Sequence, residues 1–84
     1  MLPPRRAIKR IKNRLAKKGL TLLRFEQGDR DLVTLRLILE TKRDGLGRAF
    51  AYPRVWLRTA PGRVIADAVL ADYVKGYGAA PNSI

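Results

Sequence analysis

The side chains that could do chemistry in this chain are ionic and aromatic, because it contains no histidine and no cysteine. That removes the usual general base near neutral pH, thiolate nucleophiles, disulfides and the commonest zinc ligands. The carboxylates do not assemble a site in the sequence either. Asp29 and Asp31 flank a turn around Arg30, Asp44 precedes Gly45, and Asp67 and Asp72 are spaced for the surface of a helix. Turn formation and helix solubility account for them, and Glu26 with Glu40 supplies no ligand set for a divalent ion. The expectation is a binding protein and not an enzyme, with no catalytic residue, no metal site and no cofactor.

What remains is positive charge. Eighteen Lys and Arg face seven Asp and Glu, for a net charge of +11 and an isoelectric point near 11.2. Residues 1–25 hold nine of the cations and no acid, so the excess is concentrated at one end. Such a field draws in polyanions over a Debye length of roughly 8–10 Å and costs self-repulsion when nothing is bound. Arg5, Arg6, Lys9, Arg10, Lys12, Arg14, Lys17 and Lys18 are the expected phosphate contacts. Nucleic acid is the first expected partner, and an acidic protein surface the second.

A second group of candidates lies in the run Arg48–Thr59. Taken by alternate residues as a strand, it puts Arg48, Phe50, Tyr52, Arg54, Trp56 and Arg58 on one face and Ala49, Ala51, Pro53, Val55 and Leu57 on the other. With Pro53 leaving the register intact, three guanidiniums and three rings form a row, joined across the sheet by Arg36, Lys42 and Arg24. Guanidiniums bond phosphates or guanine edges bidentately, and rings stack on bases. The competing expectation is that Pro53 makes a bulge and the rings turn inward.

These residues need elements to hold them. Pro3-Pro4 suits a helix start, Ala7, Ile8, Ile11 and Leu15 fall within an arc of about 100°, and Gly19 suits a left-handed helix end. Leu20–Glu26 has strand character up to a turn at Gln27-Gly28-Asp29. In Leu32–Lys42, Val33, Leu35, Leu37 and Leu39 alternate with Thr34, Arg36, Ile38, Glu40 and Lys42. Asp44-Gly45 and Gly47 supply hairpin chemistry, and Pro53 belongs at a sheet edge or a bulge. Ala60-Pro61-Gly62 opens a second helix to about Lys75, which Gly76 ends. Its half carrying Ile65, Ala66, Val69, Leu70, Tyr73 and Val74 is expected to bury.

The result is an α+β domain of order α-β-β-β-α, a three-stranded antiparallel meander with two helices packed on one face. Residues 1–77 form the single domain and 78–84 a flexible tail. The start of the chain lacks the apolar segment of a signal peptide, no run of about 20 apolar residues could cross a bilayer, and the absence of cysteine fits a cytoplasmic setting.

This element order resembles that of double-stranded RNA-binding domains and of HicA-type toxins. The resemblance lies in topology: Ala60-Pro61-Gly62-Arg63 stands where the former carry a basic cluster, and the toxins' catalytic histidine has no counterpart. Arg54-Val55-Trp56-Leu57-Arg58-Thr59, followed by a helix with Ala71-Asp72-Tyr73, is similar to the third strand and helix of plant ethylene-response DNA-binding domains. That similarity implies a sheet lying in the major groove. The expected function is nucleic-acid binding, DNA slightly before RNA, with phosphate contacts from the first helix and Arg and aromatic contacts from the outer sheet face. The alternative is a small inhibitor or adaptor, of the kind phages and mobile elements carry, bound to an acidic or nucleic-acid-binding surface of a larger protein.

Overall fold

A computed structural model describes residues 3–27, 33–41 and 47–77. The chain forms α1 (Arg5–Lys17), β1 (Leu20–Gln27), β2 (Thr34–Thr41), β3 (Gly47–Pro53), α2 (Arg54–Thr59) and α3 (Gly62–Tyr77). The three strands make one antiparallel sheet in the order β1-β2-β3, which is the expected α+β meander with one additional short helix. The expected turns around Gly28 and Asp44-Gly45, and the expected tail 78–84, lie outside the described residues.

Helix α1 forms where the apolar stripe predicts it. Ile11 and Leu15 are fully buried and Ala7 and Ile8 half-buried, while the polar arc stays in solvent. The helix stops because Gly19 adopts φ 87°, a left-handed conformation that costs a glycine nothing. Leu20, directly beyond, is completely buried, so this turn sets the angle at which β1 enters the core.

The inner face of β2 presents Leu35, Leu37, Leu39 and Thr41, all buried. On β1 the partners on that face are Leu20, Leu22 and Phe25, opposite Thr41, Leu39 and Leu37. An irregularity between Leu22 and Arg24 gives β1 one extra residue. It turns Leu23 out to 40% exposure and returns Phe25 to the core side.

The third strand differs from expectation in two ways. It ends at Pro53, on the sheet edge, and Arg54–Thr59 is helical instead of extended. Six residues with buried Leu57 between exposed Val55 and Thr59 fit either period, so alternation alone could not decide. Pro53, with φ −58°, opens the helix; the Ala60 amide donates to the Trp56 carbonyl at 2.8 Å, and the Thr59 hydroxyl donates to the Val55 carbonyl at 2.9 Å. The faces of β3 are also reversed. Tyr52 lies opposite Leu35 and Phe50 opposite Leu37, under the helices, whereas Ala49, Ala51 and Pro53 are exposed on the outer face. Burying two rings removes far more apolar area from water than burying two alanines, and that difference fixes the orientation.

Helix α3 closes the core through Ile65, Ala66, Val69 and Tyr73, and runs past Gly76 to Tyr77. It is tied to β3 by the Phe50–Tyr73 ring pair, 6.3 Å between centroids, and by the Tyr52 hydroxyl donating to Asp72 Oδ2 at 2.7 Å. Burial first, and that hydrogen bond second, push the Tyr52 pKa well above the ordinary tyrosine range. Both long helices therefore share one face of the sheet.

Helices α1 and α3 meet at Gly62. A Cβ there would stand 3.0 Å from the Ala7 carbonyl oxygen and 3.1 Å from Arg10 Cβ, and neither atom can swing aside. Gly62→Ala is expected to lower stability by about 1–2 kcal/mol in urea denaturation, because wedging the helices apart outweighs the gain in helix propensity. An unchanged or raised denaturation midpoint would show that the close approach is not a constraint.

Candidate nucleic-acid interface

Docking the narrow stripe of α1 leaves its cations nowhere to go but outward. Arg5, Arg6, Lys9, Arg10, Lys12, Arg14 and Lys17, with Lys18 just beyond, are all exposed. Among the described residues, Arg14 is the one of these eight with a carboxylate partner. The side of α1 that looks across to α3 forms one wall of an open groove of about 440 Å³. Arg6, Lys9, Arg10, Asn13, Arg14 and Lys17 line it from α1, and Arg63 from the first turn of α3. Six cations thus share one depression.

Asp67, one turn further along α3 than Arg63, is the counterweight. Arg14 Nε donates to Asp67 Oδ1 at 2.8 Å and Arg14 Nη2 to Oδ2 at 3.3 Å, a two-pronged pair in which both side chains remain more than half exposed. The hydrogen bond from Arg14, reinforced by the charges of Arg14, Arg63 and Lys18, holds the Asp67 pKa below the ordinary carboxylate range. The same pair raises that of Arg14. A lowered carboxyl pKa keeps this pair intact at neutral pH, and it loosens only as acid protonates Asp67.

The other candidates scatter. Arg36 is on the outer sheet face, with Nη2 3.6 Å from Glu26 Oε1, and Glu26 Oε2 accepts from Arg24 Nε at 2.7 Å. Arg48 is half-buried on the ring side of β3, opposite Leu39, and Arg54 is half-buried at the start of α2. Trp56 is packed against the core with its ring 5.5 Å from that of Tyr52. Lys42 lies outside the described residues. The expected row of alternating guanidiniums and rings is therefore not formed: its strand half points inward and its other half winds around a helix. The similarity of Arg54–Thr59 to the strand of a sheet that reads DNA falls with it.

Arg58 is the exception, because α2 carries it toward the N-terminal end of α1, where it lines a second concavity with Arg6 and Arg10. Sequence reading missed Arg63, Asn13 and the role of Asp67. Arg63 had a signal in its place just after Pro61-Gly62, whereas its approach to α1 is visible only in the fold.

The groove offers guanidinium and ammonium donors along a helix about 20 Å long, enough to face about six phosphates of one strand. Among the described residues no cluster of acidic side chains could hold a metal ion, and no helix is long and apolar enough to cross a membrane. Neither a protein-family model, nor a curated protein, nor a solved structure matches the chain. The chemistry of the groove itself therefore carries the functional reading.

Asp67 occupies Arg14 donors of a kind that also bond phosphate oxygens. Asp67→Asn is expected to raise affinity for inorganic polyphosphate about three- to tenfold at roughly 0.1 M salt. Glu40→Gln, the same change in net charge on the opposite side of the sheet, should change it less than about twofold. Equal effects of the two, measured by calorimetric titration, would show that Asp67 has no local influence on the groove.

Proposed function

We propose that this protein is a non-enzymatic nucleic-acid-binding module that grips the phosphate backbone in the groove between α1 and α3. The observation that carries this reading is the convergence of six exposed cations on one groove with Asp67 as their only carboxylate partner among the described residues. Counterion release from a polyphosphate is the main source of affinity such a surface can draw on. Backbone contacts fix position and orientation without reading sequence, so binding is expected to be tolerant of base composition.

Two parts of the earlier expectation lose their support. Base contacts from a ring-bearing sheet face are withdrawn, because Phe50, Tyr52 and Trp56 pack on the core. Phosphate contacts alone favour neither nucleic acid, so the slight preference for DNA is not part of this proposal. The alternative reading, an inhibitor or adaptor of a larger protein, used the same row as a hot spot and loses that support with it.

Fluorescence anisotropy with a labelled duplex, repeated over a salt series, tests the proposal. The log–log slope is expected to be steep, with each phosphate contact contributing about 0.9. Lys9→Glu with Lys17→Glu should weaken binding at least about tenfold and flatten the slope by about two, whereas Lys75→Glu, outside the groove, should have a small effect. Affinity that does not change with salt would overturn the proposal.

A further inference from the structure

We infer that the second concavity, at the corner where α1 begins and α2 passes into α3, receives the terminal phosphate of a nucleic-acid strand; this rests on the nucleic-acid reading above. The concavity measures about 450 Å³, within the size range of small-ligand sites. Three guanidiniums line it, Arg6 and Arg10 from α1 and Arg58 from α2. The remaining walls, formed by Pro4, Ala7, Ala60, Pro61 and Gly62, carry no charged side chain.

Arginine cannot discharge by losing a proton, so three of them lining one hollow repel one another for as long as it is empty. None of the three has a carboxylate partner among the described residues. This contrasts with the neighbouring groove, where Asp67 offsets Arg14. An anion that enters the corner is therefore met by three unspent donors. The start of α3, at Gly62 in the wall, adds the positive end of its helix dipole to the same field.

The number of guanidiniums selects the kind of phosphate. An internal phosphodiester carries one charge and two free oxygens, whereas a terminal monoester carries about −1.5 to −2 near pH 7 and three acceptor oxygens. Three forked donors match the monoester. Proline and alanine side chains beside them give the terminal sugar and base an apolar surface. The site is also continuous with the groove, since Arg6 and Arg10 line both depressions. A strand lying along α1 can follow them and turn its end into the corner.

The test compares duplexes of one sequence ending in 5′-phosphate, 3′-phosphate or hydroxyl groups alone, by anisotropy at about 0.15 M salt. One phosphorylated end is expected to bind about fivefold tighter than the hydroxyl duplex, and the preference should shrink below about pH 6 as the monoester dianion takes up one proton and falls to a single charge. Arg58→Ala, which removes an exposed side chain and should leave the circular dichroism spectrum unchanged, is expected to abolish the preference by weakening the phosphorylated duplex about fivefold more than the hydroxyl duplex. The Lys9→Glu, Lys17→Glu variant should weaken all the duplexes and keep the preference. Adenosine monophosphate should shift amide resonances near Arg58 and Ala60, where inorganic phosphate alone shifts them less. Equal binding of all the duplexes by the unaltered protein would overturn the terminal-phosphate site and leave the groove reading intact. No binding to any of them would defeat both.

Discussion

The burial of one narrow apolar stripe, Ile11 and Leu15 with Ala7 and Ile8 at its end, is the interaction on which the rest of this structure depends. A helix with so few apolar positions and so many cations has a single way to dock without desolvating charge, and an unpaired buried charge would cost far more than the stripe gains. Docking on α3 and β1 therefore dictates where every ammonium and guanidinium of α1 goes. Gly62 sharpens the result, since its missing side chain lets Ala7 and Arg10 come against the start of α3. Arg63, on the adjacent position, is thereby carried to the rim of the groove. The cationic surface is thus a consequence of how the core closes.

Concentrating charge in this way works against the folded state, and the structure relieves it sparingly. Asp67 neutralises Arg14, and exposed pairs of this kind contribute little stability. Their effect is on the field: Asp67 divides the cations of α1 into those already engaged and those left available. On the other side of the sheet Glu26 pairs with both Arg24 and Arg36, and with Glu40 on the same face the described charges there balance, while the α1 side is strongly positive. The polarity of the molecule comes from the placement of a few carboxylates as much as from its many cations.

The aromatic residues illustrate a competition between two uses of the same side chain. Phe50, Tyr52 and Trp56 could have formed a stacking surface, and in a domain of this size the core takes them. A small domain buries a modest fraction of its surface, so large rings are hard to spare. Tyr52 bonds Asp72 and faces Trp56, and Phe50 meets Tyr73, so the rings join β3 and α2 to α3. Phosphate binding is left to side chains that the core cannot use.

The sequence by itself determined the local features: the order of the first helix and three strands, the buried arc of α1, the left-handed Gly19 and the alternating faces of β2. Each follows from a few neighbouring residues, through periodicity or a backbone requirement that one residue type meets. Only the tertiary structure decided that Arg54–Thr59 coils into a helix, since six residues satisfy both periods and the outcome turns on where Leu57 finds its core contacts. It also decided which face of β3 goes inward, because alternation separates two faces without labelling them, and the label comes from Leu35, Leu37 and Tyr73 elsewhere in the chain. The same holds for the sites. Seven cations of the first helix, and Lys18 just beyond it, were legible as a charge run, but Arg58, Arg63 and Asp67 join them through contacts between elements far apart in sequence, which no local pattern encodes.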